Sequence, residues 1–432
     1  MNRHQLPVLN GRVAESSLYT DGTRKKIEPA VVHGRFDRAR HIVFSVLIAV
    51  WILLPIIPIN GNPALFLDVE HRRFFVLGGT FTPHDFWLVF FLATGVGFGL
   101  VYATALAGRV WCGWACPQTV FTESFYRPIE RLTKKNKWLK HALFFAISVG
   151  VAHVFIAYFV SVRALWTMML GSPAKHPEAF VWMIALTGAF YGNFAFFREQ
   201  LCVVLCPYGR LQSVLLDDDS LVIAYDEKRG EPRGKVGKTT GDCVDCRRCV
   251  QVCPTGIDIR NGLQMDCIAC TACIDACDDV MDKLERPRGL IEYQHGRTVR
   301  PRMMLYTALL AIGAAVFFFS TRTRTTFDAT LLRQPGAPFT KDESGDVRNG
   351  FVVHVVNKSS ASQVYVIEPE PFEGAEYVLP IDRAEVSALS DRRIPIFVTA
   401  KSSVHGKPMV RVRVRGEKEV RVVEAVFLGG AS

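Results

Sequence analysis

Eight of the twelve cysteines stand in two arrays. The first is Cys243-x-x-Cys246-x-x-Cys249-x-x-x-Cys253-Pro254, and the second is Cys267-x-x-Cys270-x-x-Cys273-x-x-x-Cys277. Three thiolates at this spacing wrap one iron–sulfur cubane, while the fourth falls too far along the turn and ligates the other cluster. The spacing therefore predicts two [4Fe-4S] clusters. Cys243, Cys246, Cys249 and Cys277 hold one; Cys267, Cys270, Cys273 and Cys253 hold the second. The chemistry is one-electron transfer in a reducing, low-oxygen compartment. A disulfide framework requires an oxidising compartment, and no secretory signal is visible. Structural zinc uses pairs of ligands rather than three evenly spaced cysteines and a distant fourth. One departure from the run is that Asp278, not proline, follows the second array. The proline turns the chain without ligating, so the second cluster is still expected.

The other four cysteines form a repeat. Arg109-Val-Trp-Cys112-Gly-Trp-Ala-Cys116-Pro117 recurs as Arg198-Glu-Gln-Leu-Cys202-Val-Val-Leu-Cys206-Pro207, each C-x-x-x-C-P following an apolar hairpin. On a helix, i and i+4 share a face. Each pair is thus expected to present two sulfurs side by side, and the repeat to bring four together. Soft thiolates suit Cu(I), and also zinc or iron–sulfur; dithiol–disulfide chemistry is open to them as well. Arg109 and Arg198 nearby favour thiolate. The plainer alternative is buried, inert membrane cysteines.

Stepping outward, the 432-residue chain is 49% hydrophobic with a positive mean hydropathy. That is too apolar for a soluble carrier, and the length suggests about three domains. Apolar stretches at 42–59, 86–108, 142–162, 179–197 and 303–320 each approach the ~20 residues that cross a bilayer. The fold class expected is a multi-domain membrane protein: a transmembrane α-helical bundle of about five spans, a bacterial two-cluster ferredoxin-like segment and a C-terminal Ig-like β-sandwich. The divisions read are a basic tail (1–41), a four-span block (42–197), the ferredoxin segment (198–302), a fifth helix (303–320) and the β-domain (321–432). Within the ferredoxin segment, 226–240 reads as a flexible stretch rich in Lys, Arg and Gly. The β-domain follows from β-branched runs at 352–356, 363–368, 393–399, 410–414 and 420–427, separated by turn residues. It has no cysteine, so it is not a disulfide-bonded immunoglobulin domain.

Basic residues set the orientation. Arg24, Lys25, Lys26, Arg35, Arg38 and Arg40 precede the first stretch. Arg109, Arg127, Arg131, Lys134, Lys135, Lys137 and Lys140 lie between the second and third. The expectation is a cytoplasmic tail, 109–140 loop and ferredoxin segment, with the β-domain on the other side. The net charge of +10 then meets anionic lipid rather than nucleic acid. No cleavable signal peptide is expected, because the first apolar stretch begins some forty residues in.

Three further residue sets carry alternatives. His153, inside an apolar span, is suited to quinone or metal, or to pairing with a hydroxyl of another span. Met168 and Met169 read as interface packing before copper ligation. Arg247 and Arg248, inside the first array, either attract an acidic donor or form a solvated loop tip.

The paired C-x-x-x-C-P motifs, the run from Cys253 through Pro254-Thr-Gly-Ile-Asp-Ile-Arg to Cys267 and the β-domain after a last span together resemble the CcoG family, whose members are also called FixG or RdxA. The similarity covers nearly the whole chain. The resemblance implies an inner-membrane protein that reduces Cu(II) to Cu(I) for assembly of cbb-type cytochrome c oxidase. It further implies a catalytic, copper-holding role for Cys112, Cys116, Cys202 and Cys206, a cytoplasmic electron donor, and copper-handling or oxidase-assembly partners. The rival readings are a quinol-linked electron-transfer subunit without a copper role and a cluster-stabilised assembly scaffold.

Overall fold

The structure is a computed structural model. It describes residues 27–429 apart from 71, 83, 84, 135, 218, 238, 239, 295, 298, 324, 343, 344, 360, 402–407 and 418. Arg24, Lys25, Lys26 and Lys135, used above for orientation, lie outside the described residues. The chain divides into two compact units, Met1–Phe317 and Phe318–Ser432.

In the first unit, α1 (Arg35–Leu53) opens with Arg35, Asp37, Arg38 and Arg40 and is apolar only beyond them. The expected stretch 42–59 does not run through as one helix. Pro55 has no N–H to continue the ladder, and the chain turns into two small sheets. These are β1 (Pro58–Ile59) with β2 (Asn62–Pro63), and β3 (Leu65–Asp68), β4 (Arg73–Val76) and β5 (Gly79–Phe81). Four helical stretches among the described residues are long and apolar enough to cross a membrane: Trp87–Ala107, Lys137–Ile156, Pro177–Phe197 and Pro301–Arg322. The first three lie in α2 (Phe86–Ala107), α6 (Lys137–Ile156) and α8 (Pro177–Gly192), the last extended by a π-turn at Asn193–Phe197. Their outer faces leave Phe90, Val96, Val181, Trp182 and Ile184 exposed, an apolar surface suited to lipid.

Between α2 and α6 run three short helices, α3 (Val110–Trp114), α4 (Pro117–Phe121) and α5 (Arg127–Leu132), the last two joined by a π-turn at Thr122–Tyr126. They pack on α1, α6 and the end of α8 through Phe44, Phe121, Tyr126, Phe144 and Phe194. Tyr126 stacks on Phe194 at 4.3 Å between ring centres and its hydroxyl meets Ser148 Oγ at 2.9 Å, so its polar end is satisfied where its ring is buried. The short α7 (Val162–Leu170) sits between α6 and α8 in sequence.

After a third π-turned segment, Leu201–Leu205, come α9 (Pro207–Leu215) and the ferredoxin segment. Strands β6 (Val222–Tyr225) and β7 (Ile291–Gln294) pair antiparallel, with Val222 opposite Gln294, and so close the two ends of that segment together. Between them lie α10 (Glu227–Gly230), α11 (Arg248–Gln251) and α12 (Ala272–Lys283). Part of the stretch expected to be flexible, 226–240, thus includes the helical turn α10, capped by the Asp226 side chain. The long helix α13 (Pro301–Arg322) follows; only 6% of its apolar window is buried.

The second unit is a β-sandwich of two antiparallel sheets. One has the order β12 (Ala375–Val378), β14 (Asp391–Ala400), β10 (Val347–Asn357), β8 (Phe327–Arg333), with β9 (Thr340–Lys341) also on β10. The other has the order β13 (Arg383–Val386), β11 (Gln363–Glu370), β15 (Met409–Arg415), β16 (Val420–Val426). Alternate residues of β10, β14 and β15 face inward, placing Phe351, Val353, Val355, Ile394, Ile396, Val410 and Val412 in one core. The sequence runs anticipated β10, β11, β14, β15 and β16. Strands β8, β12 and β13 escape them, because their alternation is diluted by Asp, Arg, Glu and Thr.

Candidate metal centres

The two cysteine arrays fold as copies 24 residues apart, from 243 to 267 and from 253 to 277. Asp245 and Arg247 in the first have φ of 49° and 55°; Ala269 and Thr271, their counterparts, have 52° and 65°. Left-handed backbone at matched positions bends each loop around its own hollow. One hollow is lined by Cys243, Cys246, Cys249 and Cys277, with Tyr225, Val280, Met281 and Ile291. A second is lined by Cys253, Cys267, Cys270 and Cys273, with Ile223, Ile257 and Ile259; Cys249 touches it too.

Electrostatics separates the sets in the same way. Burial first, then the neighbouring thiols of Cys249, Cys246 and Cys243, push Cys277 up to about 12. Burial likewise pushes Cys267 up to about 12, with Cys270 and Cys253 as its thiol neighbours. Four sulfurs around an apolar hollow are a donor set that fits a cubane, whose iron charge would offset the burial that raises Cys277 and Cys267. Arg260, which spacing rules give no means to single out, stands by the first cavity with its side chain 5% exposed, bridging Asp258 and Asp245 at 2.6 Å each.

The C-x-x-x-C-P cysteines are built alike, but not as i and i+4 of a regular α-helix. Cys116 and Cys206 are both N-cap residues in extended conformation, each followed by proline at the first helical position, of α4 and α9. Proline there forfeits only an N–H that has no partner in any helix. Each motif is closed by an i to i+5 bond: Cys116 N–H to Trp111 O at 2.8 Å and Cys206 N–H to Leu201 O at 2.7 Å. The π-turn carries one residue more than α-geometry would. The repeat also registers upstream: Gly108 (φ 58°, ψ −132°) corresponds to Arg198 (φ 49°, ψ −119°). Glycine takes that conformation freely. In the second copy an arginine takes it, its side chain held by Glu130 at 2.7 Å. Arg198 therefore matches Gly108, and Arg109 matches Glu199.

The two pairs lie near one another, although among the described residues no group of three or more Cys, His, Asp or Glu is set to hold a metal ion. Cys112 is pushed up to about 11, by burial first and then by Cys116, with Cys206 also contributing. Cys202 is pushed up to about 12 by burial, then by Cys116, Cys112 and Cys206. Burial raises Cys116 as well, offset by the backbone N–H groups of Gln118 and Thr119 at its helix start. The Cys112 Sγ donates to the fully buried Gln212 Oε1 at 3.1 Å. Gln212, on α9, is a neighbour that no motif announced.

Charged side chains lock the copies together. Arg127, buried, reaches Glu123 and Glu199 at 2.6 Å each. Arg109 donates to Gly209 O at 2.8 Å, to Cys267 O at 3.3 Å and to Met265 O. The remaining candidates lie apart. His153 sits near the far end of α6, about 24 Å along it at 1.5 Å per residue, beside Trp166, and its Nε2 is buried without a partner. Met169 packs against Ala152, Ile156, Leu165 and Met183. Arg247 has a side chain 70% exposed, 3.8 Å from Asp245.

Apolar spans, two cysteine-lined hollows and a sandwich make this a membrane-associated iron–sulfur electron-transfer protein, and comparison with known proteins agrees. Residues 197–296 match a 4Fe-4S dicluster domain, 86–136 a 4Fe-4S binding domain, and 317–430 the Ig-like fold at the C-terminus of FixG. Protein RdxB of Cereibacter sphaeroides is 36% identical, over 82% of this chain and 83% of its own. Protein RdxA of the same organism is 35% identical, over 78% and 80%. Nitrogen fixation protein FixG of Rhizobium meliloti is 33% identical, over 77% of each. The chain belongs to the FixG/RdxA family.

Proposed function

We propose that the protein reduces Cu(II) to Cu(I) at Cys112, Cys116, Cys202 and Cys206 in the service of cbb-type cytochrome c oxidase assembly, as the family resemblance implies. The observation that carries the reading is that one cysteine of each pair, Cys112 and Cys202, lies against the second cysteine-lined hollow. Thiolates prefer the soft Cu(I) product to Cu(II). Cys243, Cys246, Cys249 and Cys277 hold one cluster in this reading, and Cys253, Cys267, Cys270 and Cys273 the other. When bound, the clusters supply the single electron that each cupric ion takes up. Gln212 orients Cys112, and the helix starts of α4 and α9 present Cys116 and Cys206. In this reading the site lies on the cytoplasmic face of the inner membrane and the β-domain in the periplasm, which the basic collar of Arg109, Arg127, Arg131, Lys137 and Lys140 supports.

The test is anaerobic mixing of the reduced, iron-loaded protein with Cu(II) and a Cu(I)-specific chelator. Cys112→Ser/Cys116→Ser should retain both cluster signals and lose most of the Cu(I) yield, since serine is a hard ligand. A wild-type yield from that variant excludes the thiols from the reaction. One observation favours a second reading. The unpartnered His153 Nε2 suits a quinone carbonyl, and quinol-linked reduction of the clusters that His153→Ala abolishes would establish that role instead.

A further inference from the structure

The two cysteine-lined hollows are not placed equivalently toward the membrane thiols. Gly113, between Cys112 and Trp114, is buried and lies directly on the Ile268–Ala269 backbone inside the second array. A Cβ built on it would stand 2.6 Å from Ile268 O and 2.8 Å from Ala269 C and O. These are main-chain atoms that no rotamer change can move aside. Cys112 packs with Ile268 and Cys270 in one apolar cluster. Arg109 binds Cys267 O with one nitrogen and Gly209 O, on the other repeat, with another. A separate hollow has Cys202, Glu199 and Arg127 on one side and Pro254, Thr255 and Ile268 on the other. Both C-x-x-x-C-P motifs thus abut the second hollow. The first hollow is bordered instead by Cys246, which is exposed, and by the exposed Arg247.

We infer that the two cradles have distinct duties: the one formed by Cys253, Cys267, Cys270 and Cys273 serves the membrane thiols, the one formed by Cys243, Cys246, Cys249 and Cys277 faces solvent, and Gly113 is the positioning residue that sets how closely the thiols approach. This rests on the thiol reading above. Absence of a side chain at 113 is what lets the Cys112 backbone lie against the array. Any larger residue must push the two apart.

The test reads proximity rather than turnover. ZnCl2, which is redox-inert and binds thiolates, is added anaerobically to the full-length, iron-loaded protein. Bound zinc is counted against the quadruple Cys112→Ser/Cys116→Ser/Cys202→Ser/Cys206→Ser variant. Both cluster midpoint potentials are then followed by EPR-monitored titration, assigned with Cys246→Ser and Cys270→Ser. A nearby dication raises a cluster's potential, and its effect falls with distance. The expected result is cysteine-dependent zinc with a larger upward shift at the second cluster than at the first. Gly113→Val should shrink that shift at unchanged iron content, and Gly113→Ala should shrink it less. If Gly113→Val loses iron, the wild-type pair of shifts decides. Zinc binding with equal shifts, a larger shift at the first cluster, or none, overturns the inference and leaves the thiol reading standing. Failure to find cysteine-dependent zinc overturns both.

Discussion

Replacing Arg127 with methionine tests whether a buried charge triad holds the two thiol motifs in register. The side chain is 9% exposed and lies between Glu123, 16% exposed, and Glu199, 14% exposed. Glu123 and Arg127 belong to the first repeat and Glu199 to the second. At an effective dielectric of about 20, a pair of charges some 4 Å apart is worth about 4 kcal/mol before desolvation. Removing the cation forfeits two such attractions and leaves two carboxylates facing each other. The net penalty for breaking a buried pair is about 3–5 kcal/mol. Arg40 stays 4.0 Å from Glu123 and offsets part of it, so a loss of about 3 kcal/mol is expected. Reversible unfolding in mixed micelles with rising dodecyl sulfate measures it. The double variant Arg127→Met/Glu199→Gln removes one stranded carboxylate and leaves Glu123 to Arg40, and should return to within about 1–2 kcal/mol of wild type. Its Cu(I) yield should exceed that of the single variant. A single variant within about 1 kcal/mol of wild type, or a double variant no better than the single, would refute the argument that this triad clamps the repeats.

Three other outcomes are expected. Cys253→Ser should damage the cluster of Cys267, Cys270 and Cys273 although Cys253 lies in the first array, lowering iron from about eight toward about four per chain; metal analysis with EPR checks this, and selective loss of the other cluster would contradict cross-ligation. Cu(I) affinity should rise with pH between 6 and 8: Cys112, Cys116 and Cys202 are raised above the ordinary thiol range, so they are protonated there and the metal displaces those protons, giving a slope of log K against pH of up to ~3 from these groups in a chelator competition series, where a flat profile would mean that these thiols do not bind. In the β-domain, the fully buried Asn357 shares its two amide hydrogens among Ala361 O, Val386 O and Ser387 O at 2.8–3.1 Å and accepts from Ser359; counting two donated bonds and one accepted, Asn357→Ala should cost about 3 kcal/mol at roughly 1 kcal/mol per lost bond, read by urea denaturation, and a cost under about 1 kcal/mol would show that water replaces the amide.

What was legible in the chain was whatever chemistry writes at short range. The cluster cysteines and the duplicated C-x-x-x-C-P motif are fixed by spacing within a dozen residues. The longer apolar runs and the alternating strands are fixed by period. Pro55 and Pro58 are compatible with the end of a span in the sequence, and only the fold reveals that the chain turns into small sheets there instead. The thiol site was half legible. Its cysteines could be named, but the i+5 closures could not, since nothing in Leu-Cys-Val-Val-Leu-Cys distinguishes an α-turn from a π-turn. Gln212, Arg260 and the contact of Gly113 with Ile268 are long-range. Each residue is ordinary in its local sequence and acquires meaning only from what the chain brings against it.

The shared i+5 turns make the spacing of each cysteine pair a one-codon property. A helix that holds one residue beyond its ladder can lose it in a three-base deletion without breaking either flank. In Leu201–Leu205 such a deletion would regularise the turn and swing Cys202 by about 100° around the axis, at 3.6 residues per turn. One sulfur would leave the cluster of four while the fold endured. Natural sequences of this shape that lack a single residue between the paired cysteines are thus where loss of the thiol centre, with the cluster cradles intact, should be sought.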